Sequence, residues 1–392
     1  MKKIIYLIIL LTCFTNLKAQ TLLDVYKKGT INLTEDSEFG KNTDWNKYFD
    51  DREETKYGNP IGKMKSIAVS NSGEVFVGNY SKYNIFKFDK IGNFVKEFGK
   101  EGYKEGEFLY RPTLRGILDN KYVFASDHQG RIQFYHLNGE FYKMIKIDYM
   151  PLQIVPLKDN KITIVGHVAF KGKTKIIVSI KDIESDKEKI IYSFFDDDFY
   201  SKNIVIKKGK GLQSFSPTGF KDRPVIERTI DGNLIIGRNT ESKLLIFSTT
   251  GEKIKEIDLN LTPVKTTEKM KSDFLNEVKD YLVEKNIYEE NKDQLNKPDL
   301  YPKYHPIFYD LKSDPEENIL VFNYSEKEGN SFLVYDKSGE FICETFLKSE
   351  SFKLDINSRF STFEISSNGL YAFVSVINSE NSELKVIRVK LK

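Results

Sequence analysis

The chain is poor in the residues that carry redox, metal and nucleic-acid chemistry. Of its 392 residues, 2 are cysteine, 1 is tryptophan, 4 are histidine and 5 are methionine. Cys13 falls inside an apolar N-terminal stretch, which leaves Cys343 by itself further along and excludes a disulfide framework. A dominant charge sign is lacking as well, since 60 Lys and Arg stand against 57 Asp and Glu for a net +3. With both signs spread along the chain, no basic stripe forms, and nucleic acid is excluded as a partner. Long apolar runs are missing. The run from Ile4 to Thr12 is about nine residues, too short to span a bilayer. No Walker loop, G-x-S-x-G elbow or HExxH pair occurs, and the Lys/Gly-rich stretch 207–212 has no following Ser or Thr for a phosphate site.

The N-terminus reads as an export signal. Lys2 and Lys3 precede the apolar run, and Leu17-Lys18-Ala19 offers a small residue before a cut. Residues 1–20 are therefore expected to be a signal peptide, and 21–392 an exported chain, in the periplasm or cell envelope or secreted. A competing reading places a lipid anchor at Cys13. Leu10-Leu11-Thr12 precedes it, but Thr12 stands where such motifs carry Gly, Ala or Ser.

What the chain does have is aromatic residues, with 29 Phe and 22 Tyr, and short runs of Ile and Val. These runs repeat. Residues 66–98 and 114–145 share one order: a strand, a tight polar turn, a second strand, a polar loop, a third strand, a Gly turn and a fourth strand. The second turn follows the first by 19 residues in three copies, Gly73 to Gly92, Asn120 to Gly139 and Gly232 to Gly251. Asn, Asp and Gly tolerate the positive φ such turns require. Weaker copies start at Pro151, at Pro306 and in the C-terminal segment with its Asn368-Gly369 turn. Six copies of the unit, five of them four-stranded, predict an all-β, six-bladed β-propeller. The last copy has only three strands. The strand-like Thr30–Thr34 is expected to close the ring as its outer strand.

The copies resemble NHL-type repeats. The likeness is carried by SGEVFVGN, FDKIGNFVKEFG, the linker EGYKEGEF and the RP pair at 111–112. The chain is similar to the NHL-like six-bladed propellers exported by Bacteroidetes bacteria. The resemblance implies the fold and an extracytoplasmic setting, and it implies no particular activity.

Blade topology sorts the loops. Turns between first and second strands, and between third and fourth, lie on one face. Second-to-third loops and inter-blade linkers lie on the other. The long insertions 98–112, 195–224 and 262–306 all belong to the second face, so ligand binding is expected there and at the channel mouth. Within 262–306, Met270, Phe274, Leu275, Val278, Tyr281 and Leu282 recur at helical spacing behind a Thr266 or Thr267 cap. The expected helix lies between blades four and five, either packed on the rim or lying over the channel.

Four first strands follow an X-Pro pair: Arg111-Pro112, Met150-Pro151, Arg223-Pro224 and His305-Pro306. Proline holds its predecessor extended. The ligand-binding set expected at the mouth is Arg111, Arg115, Arg223, Glu227 and His305, with Phe274 as cover. The alternative is that these arginines pair with nearby acids such as Asp222 or Glu107. The function expected is non-enzymatic recognition of a protein, peptide or glycan, with no cofactor. The rival is a metal-assisted lyase or hydrolase in which His128, His167 and His305 hold zinc, as the six-bladed amidating lyases hold a metal. The ligand motifs of those enzymes are absent around these histidines. Asp196-Asp197-Asp198 is a candidate calcium cluster that lacks EF-hand spacing, and so reads as a solvated turn. Asp127 reads as structural, bonding a neighbouring loop, and His136 as packed.

Overall fold

The structure is a computed structural model that describes residues 21–49, 66–79, 82–127, 130–171, 173–196, 204–208, 211–215, 223–296, 304–323, 330–349, 363–366, 369–377 and 382–389. The expected signal peptide, Cys13 and His128 lie outside the described residues.

After strand β1 (Thr30–Asn32), the chain builds antiparallel blades in sequence order. Blade one is β2–β5 (Ser66–Val69, Val75–Asn79, Asn84–Phe88, Phe94–Phe98) and blade two is β6–β9 (Thr113–Leu118, Tyr122–Ser126, Arg131–His136, Phe141–Lys146). Blade three is β10–β13 (Met150–Pro156, Lys161–Phe170, Lys173–Asp182, Glu188–Asp196). A separate hairpin follows, β14–β15 (Ile204–Lys208, Gly211–Phe215), and then blade four, β16–β19 (Pro224–Arg228, Leu234–Arg238, Lys243–Phe247, Lys253–Asp258). A short ribbon, β20 with β21 (Val264–Lys265, Tyr304–His305), stems the helical insertion. Blade five is β22–β25 (Phe308–Ser313, Ile319–Asn323, Asn330–Tyr335, Phe341–Lys348), and blade six contributes β26–β28 (Phe363–Ser366, Gly369–Ile377, Ser382–Val389). The chain is thus a six-bladed propeller.

The core lies in the wedges between blades. Phe76, Ile85 and Phe98 of blade one pack against Leu114, Val123 and Tyr135 of blade two. Apolar clusters of the same kind join blades two and three, three and four, and four and five. Burial of these strand faces is the main stabilising term.

The two wedges beside blade six are built differently. Ile31 and Leu33 enter the wedge between blades five and six, with Leu320, Val334, Leu370 and Val389. Phe39, Trp45 and Phe49 enter the next one, with Val75 and Phe88 of blade one and Tyr371 and Val386 of blade six. The closure expected through Thr30–Thr34 is corrected in one respect. β1 pairs in parallel with β25 of blade five, Thr30 opposite Phe346. The edge of blade six is met a few residues later by an isolated bridge from Glu35 to Val389. The reason is the burial pattern: Ile31 and Leu33 must both face the wedge, which sets the backbone against blade five first. Ion pairs then hold the crossing, Lys385 to Glu35 at 2.7 Å and Arg388 to Asp36 at 2.7 Å. Gly40 N–H donates to Ile91 O at 2.8 Å, tying the segment to the last turn of blade one. Gly92 in that turn has φ +84, and a Cβ there would meet Gly40 N at 2.5 Å, so only glycine fits.

Trp45 is the largest side chain in this latch, 4% exposed and stacked on Phe49 at 5.7 Å. Trp45→Ala is expected to lower stability by about 3–5 kcal/mol, as large-to-small core changes do, read as a drop in the urea midpoint.

Candidate functional site

The first strands β2, β6, β10, β16, β22 and β26 are the innermost, and from β26 through β2, β6, β10 and β16 to β22 each neighbours the next around the axis. Strands so enclosed would be apolar if packing were their sole task. Those of blades four to six are not. Glu227, Asp310, Lys312 and Glu364 are half-buried on β16, β22 and β26. Lys312 Nζ lies 3.7 Å from Glu227 Oε2, with 11% and 15% of the two side chains exposed, so the pair is largely dry yet reachable by water. Burial pushes the Glu227 carboxyl up to about 7 against the pull of Lys312. Burial also raises Asp310, opposed by Lys312 and Arg223, and raises Glu364, opposed by Lys312 and Arg228. Burial alone would lower Lys312, but Glu227, Asp310 and Glu364 outweigh it and hold the ammonium charged. One lysine thus serves carboxyls from three successive blades.

Towards the linker face the strands carry bulges. Arg115 is the extra residue between the pairs Leu114–Ala125 and Gly116–Phe124. Leu152 is the extra residue between Pro151–Gly166 and Gln153–Val165, and Tyr309 between Phe308–Asn323 and Asp310–Phe322. Arginines bond the carbonyls of two of these bulges. Arg115 donates from Nε to Ser126 Oγ at 2.7 Å and from Nη1 to Leu152 O at 3.5 Å. Arg223 donates from Nη2 to Tyr309 O at 3.3 Å. Gln153 has a structural task, since its amide bonds both backbone groups of Ile226 at 2.7 and 3.2 Å and stitches blade three to blade four.

Of the residues singled out from sequence, Arg115 and Glu227 lie on inner strands, and Arg223 directly precedes one. Arg111 lies two residues before β6 and is half-buried. His305 is placed elsewhere. It sits in the β20–β21 stem, 4% exposed, with Nδ1 3.1 Å from Pro306 O. Burial lowers its pKa, so it brings a neutral imidazole and no added charge. His167 pairs with Met150 across blade three. Among the described residues no group of three His, Cys, Asp or Glu side chains is arranged to hold a metal ion. Asp127 accepts from Arg131 N at 3.2 Å and Leu109 N at 3.3 Å, and His136 packs on the Tyr122 and Tyr142 rings.

The expected helix runs Glu268–Glu284, capped by Thr267, with Val278 and Leu282 buried among Leu275, Tyr281, Ile287 and Leu295. Phe274 belongs to this helix, and its side chain lies outside the described residues. The insertion docks on hairpin β14–β15. Asn291 Nδ2 donates to Lys207 O at 3.1 Å, and Lys207 N donates to Asn291 Oδ1 at 2.7 Å. Lys207, Lys208, Gly211 and Leu212 of the Lys/Gly-rich stretch are therefore strand residues of a hairpin braced by the next insertion. Sequence reasoning missed Asp310, Lys312, Glu364, Leu152 and Tyr309. The signal available was YDLKS at 309–313, where charges interrupt a strand enclosed on both sides.

A family model described as a 6-bladed beta-propeller matches residues 31–218, from β1 through hairpin β14–β15. Among curated proteins none matches. Solved structures of similar architecture include a DUF4221-family protein of Bacteroides vulgatus, with 15% identity, TM-score 0.47, and 83% of this chain and 92% of that chain covered. A Bacteroides fragilis protein gives 14% identity, TM-score 0.47 and coverage of 86% and 98%. Virginiamycin B lyase from Staphylococcus aureus gives 13% identity, TM-score 0.40 and coverage of 84% and 85%. These likenesses concern architecture and say nothing of activity.

The shift at Glu227 sets a pH dependence. Its carboxyl binds a proton more readily folded than unfolded, so stability falls as pH rises from 4.5, the ordinary value, to about 7. Glu227→Gln is expected to flatten that part of the curve, read from urea midpoints at pH 5 and pH 7.5.

Proposed function

We propose that this chain is an exported, non-enzymatic binding propeller of the NHL-like kind, acting in the periplasm, in the envelope or outside the cell. It takes a protein, peptide or glycan ligand on the linker face, at the mouth of the central channel, and calls for no cofactor. The observation that supports this most is the charge on the innermost strands. Glu227, Asp310, Lys312 and Glu364 occupy positions where apolar residues would hold the ring at lower desolvation cost. Convergent polar groups in a concave, otherwise apolar frame are what a ligand site requires. Export rests on Lys2, Lys3 and the apolar run that follows.

The test is a screen of the purified protein on glycan and peptide arrays, with hits measured by calorimetry. Glu227→Gln and Lys312→Met are each expected to weaken the bound ligand at least tenfold. A ligand that binds both variants as tightly as the parent would place the site elsewhere, and steady turnover of a hit would replace binding with catalysis.

A further inference from the structure

The second and third strands of blade three are longer than the repeat needs. β11 has 10 residues, whereas its counterparts β3, β7, β17 and β23 have 5 each. Its inner neighbour β10 reaches only to the pair Met150–His167. β11 and β12 go on pairing past that point, through Val168–Lys175 and Ala169–Thr174 to Phe170–Lys173. β13 follows them as far as Asp196, opposite Thr174. At about 3.3 Å per residue, the extra pairs carry this tongue about 10 Å beyond the inner strand. It leaves from the end of a second strand, and so from the linker face.

The tongue has one covered face and one open face. Thr174 and Ile176 are buried at 8% and 1% exposure, and the Arg238 guanidinium of blade four lies 4.4 Å from the centre of the Phe194 ring. Strand alternation puts Phe170, Lys173, Lys175 and Phe195 on the other face, with Phe170 opposite Lys173 and Lys175 opposite Phe195. There Phe170 and Phe195 are exposed at 45% and 44%, with ring centres 6.0 Å apart. Lysines surround the two rings. Lys171 Nζ lies 5.4 Å from Phe170 and Lys173 Nζ 5.9 Å from Phe195, while Lys175 Nζ lies 5.7 and 5.9 Å from the two. A connection that merely joined two strands would need neither ring, since each leaves apolar surface in water.

We propose that this tongue docks on an anionic lipid surface. The patch projects from the blade, whereas a small ligand calls for a concavity. Exposed rings beside lysines match the boundary between acyl chains and phosphates. The rings enter the apolar side, and the ammoniums reach the phosphates on long apolar stems. The lysines already lie at cation–π distance, so ring and charge are presented to the bilayer together. The tongue is separate from the charged inner strands, and this inference does not rest on the channel-mouth reading. Docking through it turns the linker face, and the channel mouth with it, toward the membrane.

The experiment is vesicle flotation of the chain from residue 21, so that the apolar run Ile4–Thr12 cannot itself enter a bilayer. The protein is expected to float with vesicles of equal parts phosphatidylcholine and phosphatidylglycerol. Affinity for phosphatidylcholine alone should be at least tenfold lower, and added salt should weaken the binding to anionic vesicles. Phe170→Ser with Phe195→Ser, and Lys171→Glu with Lys175→Glu, are each expected to lower that affinity at least tenfold while the urea midpoint stays at the parent's value. Phe170→Trp keeps a ring at the tip and so tests the same contact without a polar substitution. Its emission is expected to shift to the blue with anionic vesicles and not with neutral ones, over a constant background from the buried Trp45. Absence of flotation, equal binding to both vesicles, or binding indifferent to both double variants overturns the proposal. Self-association that Phe170→Ser with Phe195→Ser abolishes, without vesicle binding, gives the patch to a second copy of the chain and overturns it too. None of these results touches the channel-mouth reading, which is tested through Glu227→Gln and Lys312→Met.

Discussion

Closure of the ring at blade six is the constraint on which the rest of this structure depends. A propeller buries its core in wedges between blades, so each wedge needs two walls, and the last blade must meet the first. Blade six supplies only β26, β27 and β28 among the described residues. The N-terminal segment makes up the difference by running across both wedges beside it. Ile31 and Leu33 fill one, and Phe39, Trp45 and Phe49 fill the other. Between them the chain crosses the blade edge on two ion pairs, Glu35 with Lys385 and Asp36 with Arg388. Those pairs are partly buried and fix register more than they add stability. The apolar side chains carry the energy.

A closed ring can tolerate charge at its centre. The inner strands are held in place by the wedges outside them, so their own side chains are relieved of most packing duty. Blades one to three use that relief modestly, with Gln153 spent on a bond to Ile226. Blades four to six use it for Glu227, Asp310, Lys312 and Glu364. The cluster survives because Lys312 is shared, and each carboxyl that loses water gains part of one ammonium.

The sequence carried the fold far. The 19-residue spacing of turns, the alternation of the strands and the cap at Thr267 were legible because turn and helix chemistry is local. Positive φ at Gly73, Gly92, Asn120, Gly139, Gly232 and Gly251 is the physical fact behind that spacing. The strand placement of three candidate residues was legible too. Arg115 and Glu227 lie on inner strands, and Arg223 precedes one, as the repeat predicted. His305 shares the Pro signature yet lies in the stem of the insertion, because its backbone pairs with Val264 before the blade begins.

By itself the sequence determined the number of blades, the face that bears the long loops and the place of the helix, since each follows from period, turn type and connection length. Tertiary structure decided what those signals cannot encode. It set β1 on blade five instead of blade six, because two alternating apolar residues had a wedge to fill. It brought Lys312 to Glu227 across 85 positions of chain, and it inserted single residues at Arg115, Leu152 and Tyr309. A bulge leaves no local mark in composition. It exists only in the count of one strand against its neighbour, and that count is fixed when the blades assemble.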